Sequence, residues 1–150
     1  MRKVLIGLLA ALLLLAGCSR PEITANADEI VVALNLSDIT DDIYSAAISY
    51  YLDDELIGSA ACAHADETPY NEPKAVFSLT PLDLPEGADL DKFSFHASVS
   101  FEKDGTGDVS AAEKTLSTDN CKPFEAAYGN IYRFILTGSR TEGLELTADK

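Results

Sequence analysis

The chain has 150 residues, with 25 acidic and 11 basic side chains and a formal net charge of −14. This charge argues against nucleic-acid binding, which depends on Lys and Arg side chains that replace counterions on phosphate. It also argues against a domain that lies flat on an anionic lipid surface.

The first predicted element is a secretory signal. Met1, Arg2 and Lys3 give a cationic start, and residues 4–16 form an apolar run without charge. A run of 13 residues is short for a transmembrane helix, which needs about 20. The pattern therefore predicts export from the cytoplasm.

The apolar run closes with Leu15-Ala16-Gly17-Cys18, and this ending resembles the lipobox of bacterial lipoproteins. The resemblance covers residues 1–19 only. It implies that residues 1–17 are removed and that Cys18 is acylated as the new N-terminus. Several acyl chains, at about 0.8 kcal/mol per buried methylene, would hold the protein permanently on the cell membrane or the outer membrane. A plain secretory signal with a chance cysteine is the alternative.

The sequence predicts a short tether and one domain after the signal. Residues 18–28 are polar and without periodicity, which is typical of a flexible tether, and residues 29–150 are long enough for a hydrophobic core. Removal of the signal leaves 11 − 2 = 9 basic residues against 25 acidic ones, a charge of −16. Solubility is the simpler explanation of this charge, and a cationic partner is the other.

Alternation of apolar and polar residues predicts that the domain is all β. The segment 43–52 fits a helix as well as a strand, but Asp53-Asp54-Glu55 followed by Leu56-Ile57-Gly58 favours a hairpin, so we expect a strand. A single helical turn fits within the acidic connection 81–91. The predicted strands cover residues 29–36, 43–52, 56–65, 75–80, 93–101, 109–116, 128–137 and 144–146.

About eight short strands separated by turns predict a single antiparallel β-sandwich. Two cysteines far apart in the chain favour an immunoglobulin-like member of that class. Two of its hallmarks are missing, because the chain has no Trp and Asp119 stands where a Tyr would precede Cys121 by two residues. In the strand 93–101 we expect the alternate Phe, Ala and Val side chains in the core and the Ser and His side chains in water.

Cys62 and Cys121 are predicted to form a disulfide, because an exported protein meets an oxidising environment. Their separation of 121 − 62 = 59 positions gives a stabilisation of about 4 kcal/mol on the chain-entropy model. Two unpaired, buried thiols are the alternative. A metal pair is not expected, since His64 is the only Cys or His close to either cysteine.

No catalytic constellation stands out, so we expect neither an enzyme nor a cofactor. Ser100-Phe101-Glu102-Lys103 matches the Ser-x-x-Lys pattern of penicillin-binding proteins, but the partner motifs are absent and coincidence is the better explanation. His96 lies on the polar side of its strand. Acidic turns, such as those around Asp41 and Asp53, could bind Ca²⁺ weakly, although solvated acids are the simpler interpretation.

The resulting functional expectation is a lipid-anchored, extracytoplasmic and non-catalytic domain. It would bind a protein partner, for which an exposed strand edge is one route, or serve a structural role in the envelope. The alternative is an accessory protein that binds a small ligand or a carbohydrate, with Tyr51 and Tyr70 contributing aromatic surface. The oligomeric state is left open.

Overall fold

The computed structural model describes residues 22–102 and 115–149 of the chain. These residues are all β and contain no helix. The strands are β1 (Ile30–Ile39), β2 (Ser45–Leu52), β3 (Glu55–Ala63), β4 (Lys74–Leu79), β5 (Phe93–Ser100), β6 (Thr115–Ser117), β7 (Ile131–Ser139) and β8 (Gly143–Ala148).

The strands form two four-stranded sheets. The first sheet has the order β4-β1-β7-β8 and the second sheet has the order β3-β2-β5-β6. Every neighbouring pair is antiparallel except β1 and β7, which run parallel with an irregularity between Asn35 and Asp38. The edge strands are therefore β4 and β8 in the first sheet and β3 and β6 in the second.

Alternate side chains of both sheets meet in one hydrophobic core. From the first sheet, β1 contributes Ile30, Val32 and Leu34, and from the second sheet β5 contributes Phe95 and its alternate neighbours. The rings of Phe95 and Phe134 join the two sheets directly, with centroids 4.8 Å apart and planes at 87°. This edge-to-face arrangement is one that aromatic pairs prefer.

Most of the predicted strands are confirmed. The ambiguous segment 43–52 forms β2, which pairs with β3 through a hairpin. Asp53 and Asp54 at its tip have φ values of 47° and 68°, the left-handed conformation that short hairpin turns require and that Asp tolerates. The helical turn proposed for 81–91 does not form. The predicted turn at 103–108 and most of the strand at 109–116 lie outside the described residues.

The prediction that the polar side of β5 is wet was wrong. Ser94, Ser98 and Ser100 are only 1%, 9% and 1% exposed. The reason is that β5 is an interior strand, with β2 on one side and β6 on the other. Tyr51 of β2 lies opposite Ser94, and the Ser100 hydroxyl donates to the carbonyl of Glu102.

A groove beside strand beta 8

The segment 118–126 forms an irregular edge of the second sheet, and we call it the edge segment. Its backbone follows β5: the N–H of Cys121 donates to the carbonyl of Phe95 at 2.8 Å, and Phe124 exchanges two hydrogen bonds with Phe93 at 2.9 and 3.1 Å. Because Pro123 has no N–H to donate, the ladder is interrupted there. The edge segment thus carries Phe124 to the open side between the two sheets.

A groove of about 640 Å³ lies between the edge segment and strands β7 and β8. Apolar side chains dominate its lining, namely Phe124, Tyr132, Phe134 and Leu146. The ring of Phe124 lies 4.8 Å from that of Tyr132 and 6.1 Å from that of Phe134, measured between centroids. The volume is within the range of about 300–1,000 Å³ found for ligand sites.

The hydroxyl of Tyr132 fixes one wall of the groove. It accepts a hydrogen bond from the N–H of Ala127 at 2.9 Å and donates one to the carbonyl of Glu125 at 3.3 Å. These bonds tie β7 to the end of the edge segment, at Glu125, and to Ala127 just after it. The aromatic wall is therefore held in place by hydrogen bonds within the protein, and these bonds engage the Tyr132 hydroxyl.

Charged residues also line the groove, in equal numbers of each sign. Lys122 and Arg133 are basic, and Glu125 and Asp149 are acidic. All of them are exposed, and within residues 22–102 and 115–149 none forms an ion pair. Elsewhere on the surface, exposed Lys92 binds Asp53 at 2.7 Å. The groove is thus locally neutral in a chain of strongly negative charge.

The predicted disulfide between Cys62 and Cys121 is absent, and both thiols are free. Cys62 lies on edge strand β3, and Cys121 lies in the edge segment beyond β5. Strands β2 and β5 run between them, so three inter-strand spacings of about 4.8 Å, or about 14 Å, separate the two positions. A disulfide needs Cα atoms about 4.4–6.8 Å apart. The chain separation of the two cysteines did not reveal this distance, because it depends on the order of the strands in the sheet.

Neither thiol is placed as a nucleophile. Burial raises the pKa of Cys62 and of Cys121 above the usual value, so both are protonated at neutral pH. The Sγ of Cys62 donates to the carbonyl of Val76 at 3.6 Å. The Sγ of Cys121 lies 3.4 Å from the N–H of Phe95, which donates to it.

His64 belongs to a polar cluster at the end of β3. The hydroxyl of Thr68 donates to Asp66 at 2.7 Å, so it accepts from the Nδ1–H of His64, 3.1 Å away. Hydrogen bonds from Thr68 lower the pKa of Asp66. The His64 ring packs 5.2 Å from that of Tyr70, whose pKa burial and the nearby Cys62 raise to about 12.

His96 lies at a different place, on the outer side of the second sheet. Its Nδ1 is 3.2 Å from the Tyr51 hydroxyl and 3.1 Å from Oδ1 of Asn120. Among the described residues, the buried hydroxyl of neighbouring Ser94 finds no hydrogen-bond partner. Tyr51 packs against His96 whereas Tyr70 packs against His64, so the two tyrosines do not form one stacking platform.

The remaining sequence candidates bring no catalytic or metal chemistry together. Ser100 is buried and donates its hydroxyl to the carbonyl of Glu102 at 2.9 Å, and Lys103 lies outside the described residues. A carboxylate oxygen of Asp41 accepts the backbone N–H of Arg140 at 2.7 Å. Across residues 22–102 and 115–149, no three His, Cys, Asp or Glu side chains are grouped to hold a metal ion.

Cys18, the predicted lipidation site, lies outside the described residues. In the part of the chain that is described, no helix has the length and apolar character needed to cross a lipid bilayer. No protein-family model matches the chain, and no curated protein is significantly similar to it.

Sequence reasoning did not find the groove. The strand predicted over residues 128–137 corresponds to β7. The pattern held no sign that Phe124 and Leu146 would lie beside it, because the edge segment has no periodicity of its own. A long-range contact map would have been needed.

Proposed function

We propose that this chain is an extracytoplasmic lipoprotein, anchored through Cys18, whose β domain binds a partner protein without catalysing a reaction. Support for the anchor comes from the sequence alone: the cationic start, the apolar run and Leu15-Ala16-Gly17-Cys18. Residues 18–28 then act as a tether of at most about 40 Å at full extension. The domain would accordingly work close to its membrane.

We infer that the two sheets form a β-sandwich. The common core and the contact between Phe95 and Phe134 support this architecture. The strand order does not favour an immunoglobulin-like arrangement. In a constant-type immunoglobulin domain, one sheet contains the first, second, fourth and fifth strands. Here β1 and β4 instead share a sheet with β7 and β8.

The observation that carries the binding role is the preformed groove. Its floor is aromatic and aliphatic, and aromatic side chains are enriched where proteins bind one another. A site for a small polar ligand would be expected to offer converging polar side chains. Here the hydroxyl of Tyr132 is already bonded within the protein, so a polypeptide partner fits the groove better.

Site-specific photocrosslinking in the native envelope tests this role. A photoreactive amino acid at Lys122, which lines the groove, should give a discrete protein adduct. The same amino acid at Leu82, which is 96% exposed and does not line the groove, is the matched control. The proposal fails if Lys122 gives no adduct, or if both positions give the same adducts.

The anchor is tested separately by mass spectrometry of the native protein. We expect an N-terminal peptide that begins at Cys18 and carries fatty acyl chains. An intact leader, or an unmodified Cys18 thiol, would contradict the anchor and leave the groove unaffected.

A further inference from the structure

Strand β8 presents unpaired backbone groups on its free side. In β7, the carbonyl of Gly138 accepts the N–H of Thr40 on the β1 side at 3.3 Å. The next residue of β7 therefore faces β8, and so does every second residue along the strand. On the β8 side, the N–H of Asp149 donates to the carbonyl of Arg133 at 2.9 Å. Odd-numbered residues of β8 thus pair with β7.

The even-numbered residues of β8 point the other way. In an antiparallel pair without a register shift, residues alternate between facing the partner strand and facing away. The N–H and C=O groups of Leu144, Leu146 and Ala148 consequently face the free edge. Within the described residues these groups make no hydrogen bond. Leu146 and Ala148 also line the groove.

An unpaired strand edge beside an apolar groove permits strand addition, in which an extended peptide pairs with the edge strand of a sheet. The edge supplies main-chain donors and acceptors, and the groove supplies pockets for alternate side chains. The distance from Leu144 to Ala148 covers four residue steps, about 13 Å at about 3.3 Å per residue. This length suits an added strand of about five residues, the usual strand length.

We propose that an extended segment of the partner protein pairs with β8 as a fifth strand of the first sheet and places apolar side chains against Phe124 and Leu146. This inference rests on the proposed binding role of the groove. The two basic and two acidic residues of the groove balance, so the complementary segment is apolar and nearly uncharged. A second copy of the chain fits less well, because each mature copy carries a charge of −16 and Glu145 lies in the middle of β8.

The substitution Ala148→Pro isolates the free edge. Proline removes the N–H that faces away from β7, so the ladder between β7 and β8 is kept, and proline is tolerated at such edge positions. Ala148 is exposed, so no core contact is lost. The matched control is Ala148→Ser, which keeps the N–H and adds only a small hydroxyl.

The probe is a random dodecapeptide selected by phage display on the full chain in detergent. We expect Ala148→Pro to weaken binding of the selected peptide about tenfold or more, through the lost hydrogen bond and the bulk of the ring. Ala148→Ser should bind like the wild type. N-methylation of the peptide should weaken binding at every second residue only, a readout that does not depend on how the variant folds.

Three results would overturn strand addition. They are unchanged affinity for Ala148→Pro, an N-methylation profile without alternation, or a library that yields no binding peptide. Peptides that crosslink at Lys122 but ignore the Ala148→Pro change would refute strand addition and leave the groove as the binding site. Failure to crosslink at Lys122 would instead refute the binding role of the groove.

Discussion

The contact between Phe95 and Phe134 allows a direct measurement of how the two sheets hold together. Phe95 is fully buried and Phe134 is 8% exposed, and their rings meet edge to face at 4.8 Å. Replacement of either ring by Leu keeps an apolar side chain and should cost on the order of 1 kcal/mol. The ring pair itself contributes about 0.5–1.5 kcal/mol beyond the area it buries.

A double-mutant cycle separates this pair energy from the single costs. Phe95→Leu and Phe134→Leu together should cost less than the sum of the two, by about 0.5–1.5 kcal/mol. Urea unfolding followed by circular dichroism gives each free energy, since the chain has no Trp for fluorescence. The choice of Leu instead of Ala keeps the double variant within the stability of a small domain, about 5–15 kcal/mol.

The control cycle pairs Phe95→Leu with Leu82→Ala. Leu82 is 96% exposed, so its truncation should be nearly neutral and additive within about 0.3–0.5 kcal/mol. Strict additivity of Phe95→Leu and Phe134→Leu would show that the two rings do not touch. The common core of the two sheets would then be wrong.

Four further predictions concern individual side chains. A Cβ at Gly58 would lie 2.5 Å from the Tyr50 hydroxyl, so Gly58→Ala should cost about 1–3 kcal/mol in urea unfolding, and less in a Tyr50→Phe background. Alkylation of the unfolded mature protein should label two thiols, Cys62 and Cys121. A protein with no labelled thiol would contain the disulfide, and a third labelled thiol would show that the N-terminal cysteine is not acylated. In the folded protein the raised pKa of both should make alkylation slow near neutral pH and faster as the pH rises. Folding keeps Tyr70 protonated up to a pKa of about 12, against 10.0 for an ordinary Tyr. Its contribution to stability is therefore complete below pH 10 and falls as the pH rises through about 12. A Tyr70→Phe variant whose stability falls equally over this range would contradict that assignment.

Local patterning was enough to predict most strands. The alternation along 29–36 and 93–101 has the period of a strand, and both segments are strands. The acidic turn after Leu52 resolved the helix-or-strand ambiguity of β2, because Asp accepts the left-handed backbone that the hairpin requires. These features depend only on residues that are close in the chain, so the sequence alone reveals them.

The burial of the side chains that point away from the core could not be predicted from these local patterns. Val31 and Ala33 alternate with the core residues of β1, yet they are 0% and 4% exposed. The strand lies between β4 and β7, and a strand in the interior of a sheet buries more than one face. The same misjudgement made the serines of β5 look wet. Position within a sheet cannot be read from the strand itself.

The sequence by itself determined the export signal pattern, the acidic charge, the all-β composition and the approximate strand boundaries, because each follows from composition or short-range periodicity. Only the tertiary structure decided which strands are neighbours. That decision separates Cys62 from Cys121, leaves the backbone of β8 unpaired on one side, and brings Phe124 against Tyr132 to make the groove. Each of these outcomes depends on which strands pair, and the pairing of strands far apart in the chain is selected by the packing of the whole core.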